Sequence, residues 1–339
     1  MTRVLDLFCG GGGSSWGARN AGARISCAID AWPIAVQTYA TNFPGAQVIN
    51  ATLDERTCPS LVADAGRIDL LLASPECTNH TCAKGSGPRD ESSRRTANYV
   101  VNFAEALMPR WVVLENVVQM RNWHGYTPLI DDLKSLGYNV ETRILDAADF
   151  GVPQTRRRLF ILCDREGAPG RVAIPAQKRN KPKAADVVQL DGPWDSRPLY
   201  SERRAPDTLA RAERAIKELG KGLPFLIVYY GSDGSGGWQP LERPLRTLTT
   251  LDRFGLVTWR GKTPMLRMLQ VPELVRAMGF DKSYVLPHGS RRDRIKILGN
   301  GVCPPVMEAV VRSLVSTGKR SRGISSRVAA ARRRAMLVP

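Results

Sequence analysis

Apolar and polar positions along the first 165 residues follow two alternating periods. The runs Arg3–Phe8, Ala23–Asp30, Ile68–Ala73, Arg110–Glu115, Tyr138–Leu145 and Arg158–Cys163 have the length of buried strands. Between them, Pro33–Asn42, Ala97–Leu107 and Thr127–Leu136 read as helices. Such alternation predicts an α/β protein with a doubly wound sheet, its strands parallel and helices on both faces. From about residue 166 the texture changes, with Pro, Lys and Arg gathering at Ala168–Arg171 and Gln177–Lys183 as at a domain edge. One helix follows. Asp207 is its expected cap, Leu209, Ala212, Ile216 and Leu219 form its apolar face, Glu213 precedes Lys217 by four, and Gly220 ends it. Short β-like runs at Phe225–Tyr230, Thr247–Thr250 and Gly255–Trp259 predict a smaller, mostly β domain, and Pro304–Val315 reads as a last helix.

Composition narrows the class. The chain has 339 residues, 43% hydrophobic and 24% charged, which excludes disordered, collagen-like and coiled-coil readings. No apolar run approaches the roughly 18 residues of a membrane span. Met1-Thr2-Arg3 leads straight into the first strand, so no signal peptide is expected and the protein reads as soluble and intracellular. The net charge is +17, and 38 of the 49 basic residues are Arg, whose planar fork suits phosphates and guanine edges. With a pI near 10.0, nucleic acid is the leading partner class. Seven scattered cysteines make no disulfide framework and fit a reducing compartment in which one thiol can react.

Five segments carry candidate chemistry. Asp6-Leu-Phe-Cys-Gly-Gly-Gly-Gly-Ser-Ser15 runs a strand into a glycine-rich turn, and Asp30 follows at the end of the next strand, where an acid can accept from ribose hydroxyls. A tight turn alone would also account for the glycines. Ser74-Pro-Glu-Cys-Thr-Asn-His80 follows a strand, and strand ends are where open α/β sheets form sites. Cys77 there is a nucleophile, an inert core thiol, or a metal ligand with His80 and Cys82. Glu115-Asn-Val117 ends the apolar strand with a cap or a proton donor. Gln154-Thr-Arg-Arg-Arg158 sets alternate arginines beside a strand. Arg267, Glu273 and Gly279-Phe280, with Gly299-Asn-Gly-Val302, complete the set.

Taken in this order, the segments resemble the cytosine-5 DNA methyltransferases, over residues 3 to about 315. The resemblance implies a Rossmann-like methyltransferase sheet over 1–168, completed by 290–318, a target-recognition domain over 169–289, and a basic tail at 319–339. It implies S-adenosyl-L-methionine as methyl donor, held by Asp6, Phe8, Gly10, Gly12, Asp30, Trp32, Pro75, Asn300 and Val302. Cys77 would add to carbon 6 of a flipped cytosine, and carbon 5 would then take the methyl group. Glu115 would hold or protonate ring N3, Arg156 and Arg158 would contact the base O2 and the cysteine region, and Asn116 would position Glu115 and the cysteine loop. The stretch Thr78–Asn98 resembles the loop that closes over the base. Ser232, Asp233, Trp238, Gln239 and Arg253 are positional choices for contact with DNA. No metal is implied. Double-stranded DNA is the expected partner, with a monomeric enzyme, a cognate restriction or defence system, and a prokaryotic or phage setting in the cytoplasm at the nucleoid.

Three positions depart from the family pattern. Glu76 stands where a second proline is usual, and a carboxylate facing the thiol would raise its pKa. Thr78-Asn-His-Thr81 replaces Gln-x-Phe-Ser, and only Asp54 is available for the adenine amino group. The competing readings are an RNA cytosine-5 methyltransferase on the same scaffold and a catalytically silent DNA-binding relative. A dinucleotide dehydrogenase would explain only the glycine turn.

Overall fold

The computed structural model describes residues 1–54, 57, 59–76, 95–175, 182–230 and 236–316. They form two compact units. The first comprises the described residues of Met1–Leu145 and Arg157–Ile174, with 304–316. Its elements are β1 (Arg3–Leu7), α1 (Gly13–Asn20), β2 (Arg24–Asp30), α2 (Pro33–Asn42), β3 (Gln47–Asn50), β4 (Leu70–Ala73), α3 (Asn98–Leu107), β5 (Trp111–Asn116), α4 (Tyr126–Ser135), β6 (Asn139–Asp146) and β7 (Arg157–Asp164), with a further helix over 304–316.

The sheet order is β3-β2-β1-β4-β5-β7-β6. The pairs from β3 through β5 are parallel, and β7 runs antiparallel to β5. This is the expected α/β sheet, and its order reverses between β1 and β4. Leu70–Ala73 and Trp111–Asn116 are buried throughout, which is why they read as unbroken apolar runs rather than alternating ones. On one face Leu5, Leu7, Leu71, Val112, Leu114 and Ile161 pack with Phe103 of α3 and Leu133 of α4. Alternation along β1 turns Asp6 to the other face, where Ser15 of α1 donates to it and Tyr39 of α2 donates to Ser15. A Cβ on Gly17 of α1 would lie 2.4 Å from the Pro304 carbonyl, so only glycine allows helix 304–316 this close.

The second unit comprises Asp146–Arg156 and the described residues of Pro175–Cys303. It contains β8 (Arg197–Pro198), α5 (Pro206–Leu219), β9 (Phe225–Val228), β10 (Trp238–Pro240), β11 (Phe254–Arg260), β12 (Thr263–Met268), α6 (Val271–Ala277) and α7 (Arg291–Asn300). Its sheet, β10-β9-β11-β12-β8, is antiparallel wherever pairing is described. Packing assigns 146–156 and 290–303 to this unit. The reason is local. Gln154 bonds the Ala277 carbonyl and Leu248 N–H, while Arg156 bonds the carbonyls of Leu248, Gly299 and Gly301.

Two sequence expectations need correction. Asp207 is not the cap of α5: Ala205 is, with Pro206 at the first helical position and Asp207 favourable in the first turn. Thr247–Thr250 forms no strand, because side chains satisfy its backbone. Leu248 N–H donates to Gln154, Leu248 O accepts from Arg156, and Thr247 O accepts from the Tyr230 hydroxyl.

Candidate active site

Four strand ends of the first unit converge where its sheet order reverses, the usual ligand position in open α/β sheets. After β1 the chain turns through Phe8, Gly10 and Gly12, with φ of 56°, 52° and 88°. Phe8 is a bulky residue in left-handed backbone, which carries strain and marks a functional constraint. The two glycines serve different ends. A Cβ on Gly12 would lie 2.5 Å from Phe43, whereas one on Gly10 would find nothing within 4 Å. The loop therefore presents open space at Gly10.

Asp30 closes the loop from the end of β2. One carboxylate oxygen accepts from Gly10 N–H at 2.8 Å and the other from Trp32 N–H at 2.8 Å. A carboxylate can accept several hydrogen bonds at once, which suits a position where ribose hydroxyls are expected. Trp32 is the N-cap residue of α2. Asp54 accepts from the Thr57 hydroxyl within its own turn.

Beneath the loop, Asp6 is fully buried. Ser15 Oγ donates to its Oδ2 at 2.7 Å, Tyr39 Oη donates to Ser15 Oγ at 2.5 Å, and Asp6 Oδ1 is buried with no partner. Burial is the main cause that raises the Asp6 pKa to about 7; Ser15 opposes the rise and Asp30 adds to it. An open glycine loop, a carboxylate at ribose position and an orphaned buried carboxyl oxygen fit a cationic, ribose-bearing donor.

The chemistry-bearing side chains stand at the ends of β4 and β5. Asn116 Nδ2 donates to the Pro75 carbonyl at 3.1 Å and Oδ1 accepts from Val117 N–H, which ties β5 to the segment leading to position 77. Ser74 N–H is held by Leu7 O. Glu115 is 5% exposed, and its Oε1 lies 3.2 Å from Arg158 Nε. Antiparallel pairing of Asn116 with Leu159 sets these two side chains beside each other. A buried carboxyl paired with a guanidinium can hold a ring nitrogen while positive charge stays close. Glu76 is exposed. Cys77 and the stretch 77–94 lie outside the described residues, as do Ser232, Asp233 and the tail. Among the described residues no cluster could hold a metal, and no helix is long and apolar enough to cross a membrane.

The remaining expected site residues that the structure describes belong to the second unit. The Arg156 guanidinium is buried and donates to three main-chain carbonyls of the second unit at 2.8–2.9 Å, so it braces that unit. Asn300 is exposed at the end of α7 and Val302 is buried, both in the second unit. Gly299 approaches the backbone so closely that a Cβ would lie 2.3 Å from Thr249 O. Trp238 and Gln239, expected at base edges, are 9% and 4% exposed. The Trp238 ring packs edge-on against Phe225 in the core, and the Gln239 amide bonds Pro244 O and Arg246 N–H, so both point inward. Arg253 is half-buried and donates to Tyr229 O. Sequence reasoning missed Ser15 and Tyr39, which reach Asp6 only once α1 and α2 are placed on the sheet.

Residues 2–316 match the family model described as C-5 cytosine-specific DNA methylase. Over 329 residues the chain is 33% identical to the Type II methyltransferase M.HindV of Haemophilus influenzae, covering 94% of this chain and 97% of that one. It is 32% identical over 256 residues to the Type II methyltransferase M.HgiDI of Herpetosiphon aurantiacus, covering 72% and 80%. Among solved structures, a DNMT2 of Spodoptera frugiperda has the same fold, with a TM-score of 0.68 at 19% identity and coverage of 93% and 100%.

Proposed function

The chain belongs to the C-5 cytosine-specific DNA methylase family and is a DNA cytosine-5 methyltransferase, and from that premise we infer how its residues divide the work. The pairing of buried Glu115 with Arg158, one strand from the segment that leads to Cys77, carries the reading. Asp30, Trp32 and the loop Phe8–Gly12 hold S-adenosylmethionine, with Pro75 beside them. Bound there, it supplies a methyl group on a sulfonium. Cys77 adds as thiolate to carbon 6 of a cytosine turned out of the duplex, which makes carbon 5 nucleophilic. Glu115 holds ring N3 and draws electrons from the ring. Arg158 keeps Glu115 in place and sets positive charge near the base O2. Carbon 5 then takes the methyl group, breaking its bond to the sulfonium and leaving a neutral thioether; loss of the carbon-5 proton to a solvent base expels Cys77 as thiolate and restores the ring.

Arg156 serves this chemistry through the second unit that it braces. That unit reads the sequence. The enzyme acts as a monomer on double-stranded DNA in a prokaryotic cytoplasm, and a restriction partner fits the Type II names of its relatives.

Nucleoside mass spectrometry on DNA and on total RNA, from cells making the wild type or Cys77→Ala, tests this. We expect 5-methylcytosine in DNA only with the intact cysteine. Methylation of RNA alone would transfer the assignment to an RNA substrate. Tight DNA binding with no modification would make the scaffold a binding protein.

A further inference from the structure

Four residues from four elements meet under the glycine loop. Asp6 is the last residue but one of β1, Ser15 lies in the first turn of α1, Tyr39 in α2, and Asp30 ends β2. Tyr39 donates to Ser15, Ser15 donates to Asp6 Oδ2, and Asp6 Oδ1 is buried without a partner. An orphaned carboxyl oxygen inside a protein is costly, and most buried polar atoms avoid that state. No cation faces it. The titratable groups around it are Asp30 on β2, Cys9 in the loop and Tyr39 on α2, and Leu72 of the paired strand β4 adds none. Asp6 is too buried to touch a ligand on the loop, so it acts there through its field, which a dry interior screens weakly.

The two ligands of a methyl-transfer reaction differ in charge at one atom. The donor has a sulfonium, and the product left after transfer has a neutral thioether. We propose that the Tyr39–Ser15–Asp6 chain makes the site charge-selective: ionised Asp6 favours the sulfonium donor over its thioether product, and the carboxyl gives its proton to solvent as the donor binds. This rests on the reading that the loop takes S-adenosylmethionine. Once the methyl group has left, the positive charge is gone. Asp6 takes a proton back, and the product is held less tightly. Ser15 and Tyr39 are positioning residues whose linked hydrogen bonds favour the ionised form. The raised pKa of Asp6, about 7, places the change within the working range of pH.

Isothermal titration of S-adenosylmethionine and of S-adenosylhomocysteine, between pH 5.5 and 7.5 and in buffers of different ionisation heat, tests the proposal. The ratio of product Kd to donor Kd should rise with pH, up to about tenfold for each unit by which the bound cation lowers the Asp6 midpoint. Near pH 7 donor binding should release a fraction of a proton that product binding does not. Asp6→Asn should flatten the ratio and also measure what the ligands' own groups contribute. Tyr39→Phe and Ser15→Ala should move the midpoint upward, Ser15→Ala further. A ratio independent of pH in the wild type overturns the proposal, as does a wild-type slope in Asp6→Asn. If Asp6→Asn fails to fold, the wild-type slope and the Tyr39→Phe shift decide, and an unmoved midpoint overturns the chain of positioning. Binding of both ligands with a flat ratio leaves the donor reading standing; binding of neither overturns both.

Discussion

Gly10 and Gly12 share a left-handed backbone, yet substitution at each should fail in a different assay. Alanine at Gly12 meets the Phe43 ring at 2.5 Å as well as an unfavourable φ. Gly12→Ala should therefore cost about 2–4 kcal/mol of stability, visible as a lower denaturation midpoint. Gly10→Ala meets open space, so its cost should be only about 1–2 kcal/mol of backbone strain. Its methyl group lies where the donor is read to sit, and donor binding by calorimetry should be lost in a protein that still folds. Asp6 makes a third forecast, with a definite sign. Its folded pKa of about 7 exceeds the ordinary value of 3.8, so the folded state binds more protons between these values. That contribution is complete below about pH 4 and is lost as pH rises through 7. The stability of the wild type relative to Asp6→Asn should fall with pH by up to about 1.4 kcal/mol per unit in that window, and level off above it.

At the scale of elements, the pairing of β5 with β7 governs the site. Register sets Arg158 beside Glu115, and Asn116 fastens the strand end to the Pro75 carbonyl. Glu115→Gln should leave the melting curve near that of the wild type and lower kcat by about 10²–10⁴-fold in a single-turnover methylation assay. The sheet itself was readable in advance, because Leu70–Ala73 and Trp111–Leu114 are buried on both faces and need no alternation. The second unit was harder. Trp238 and Gln239 lie beside a glycine-rich stretch, which makes surface loop and sheet core look alike in one dimension; only the pairing of β10 with β9 turns them inward. Thr247–Thr250 has strand-forming residues, but Gln154 and Arg156, some 90 residues earlier, occupy its backbone instead of a ladder. Asp6 was visible as the head of a motif. Ser15 and Tyr39 were not, since nothing in their spacing says that both helices reach one carboxyl.

At the scale of the whole molecule, the charge of +17 and the buried ion pairs act differently. Exposed arginines should make DNA binding steeply dependent on salt, with log K falling about 0.9 per phosphate contact for each tenfold rise in salt. Arg267 and Glu273, by contrast, form a buried bidentate pair in the second unit at 2.7–2.8 Å, and Glu273 also accepts from the N–H groups of Gln189 and Gln270. Arg267→Ala leaves that carboxylate buried without its counter-charge, held only by the two N–H groups, and should cost about 3–5 kcal/mol in denaturant unfolding.

The chain visits its second unit twice, first for the eleven residues Asp146–Arg156 and then for Pro175–Cys303. If the second unit reads the target sequence, as proposed, anyone grafting a new specificity onto this enzyme will be tempted to exchange the long segment alone. Such a chimaera would retain the old Gln154 and Arg156 but take their partners at 248, 277, 299 and 301 from a stranger. The portable cassette is discontinuous: its short first piece must travel with the rest, like the key that belongs to one lock.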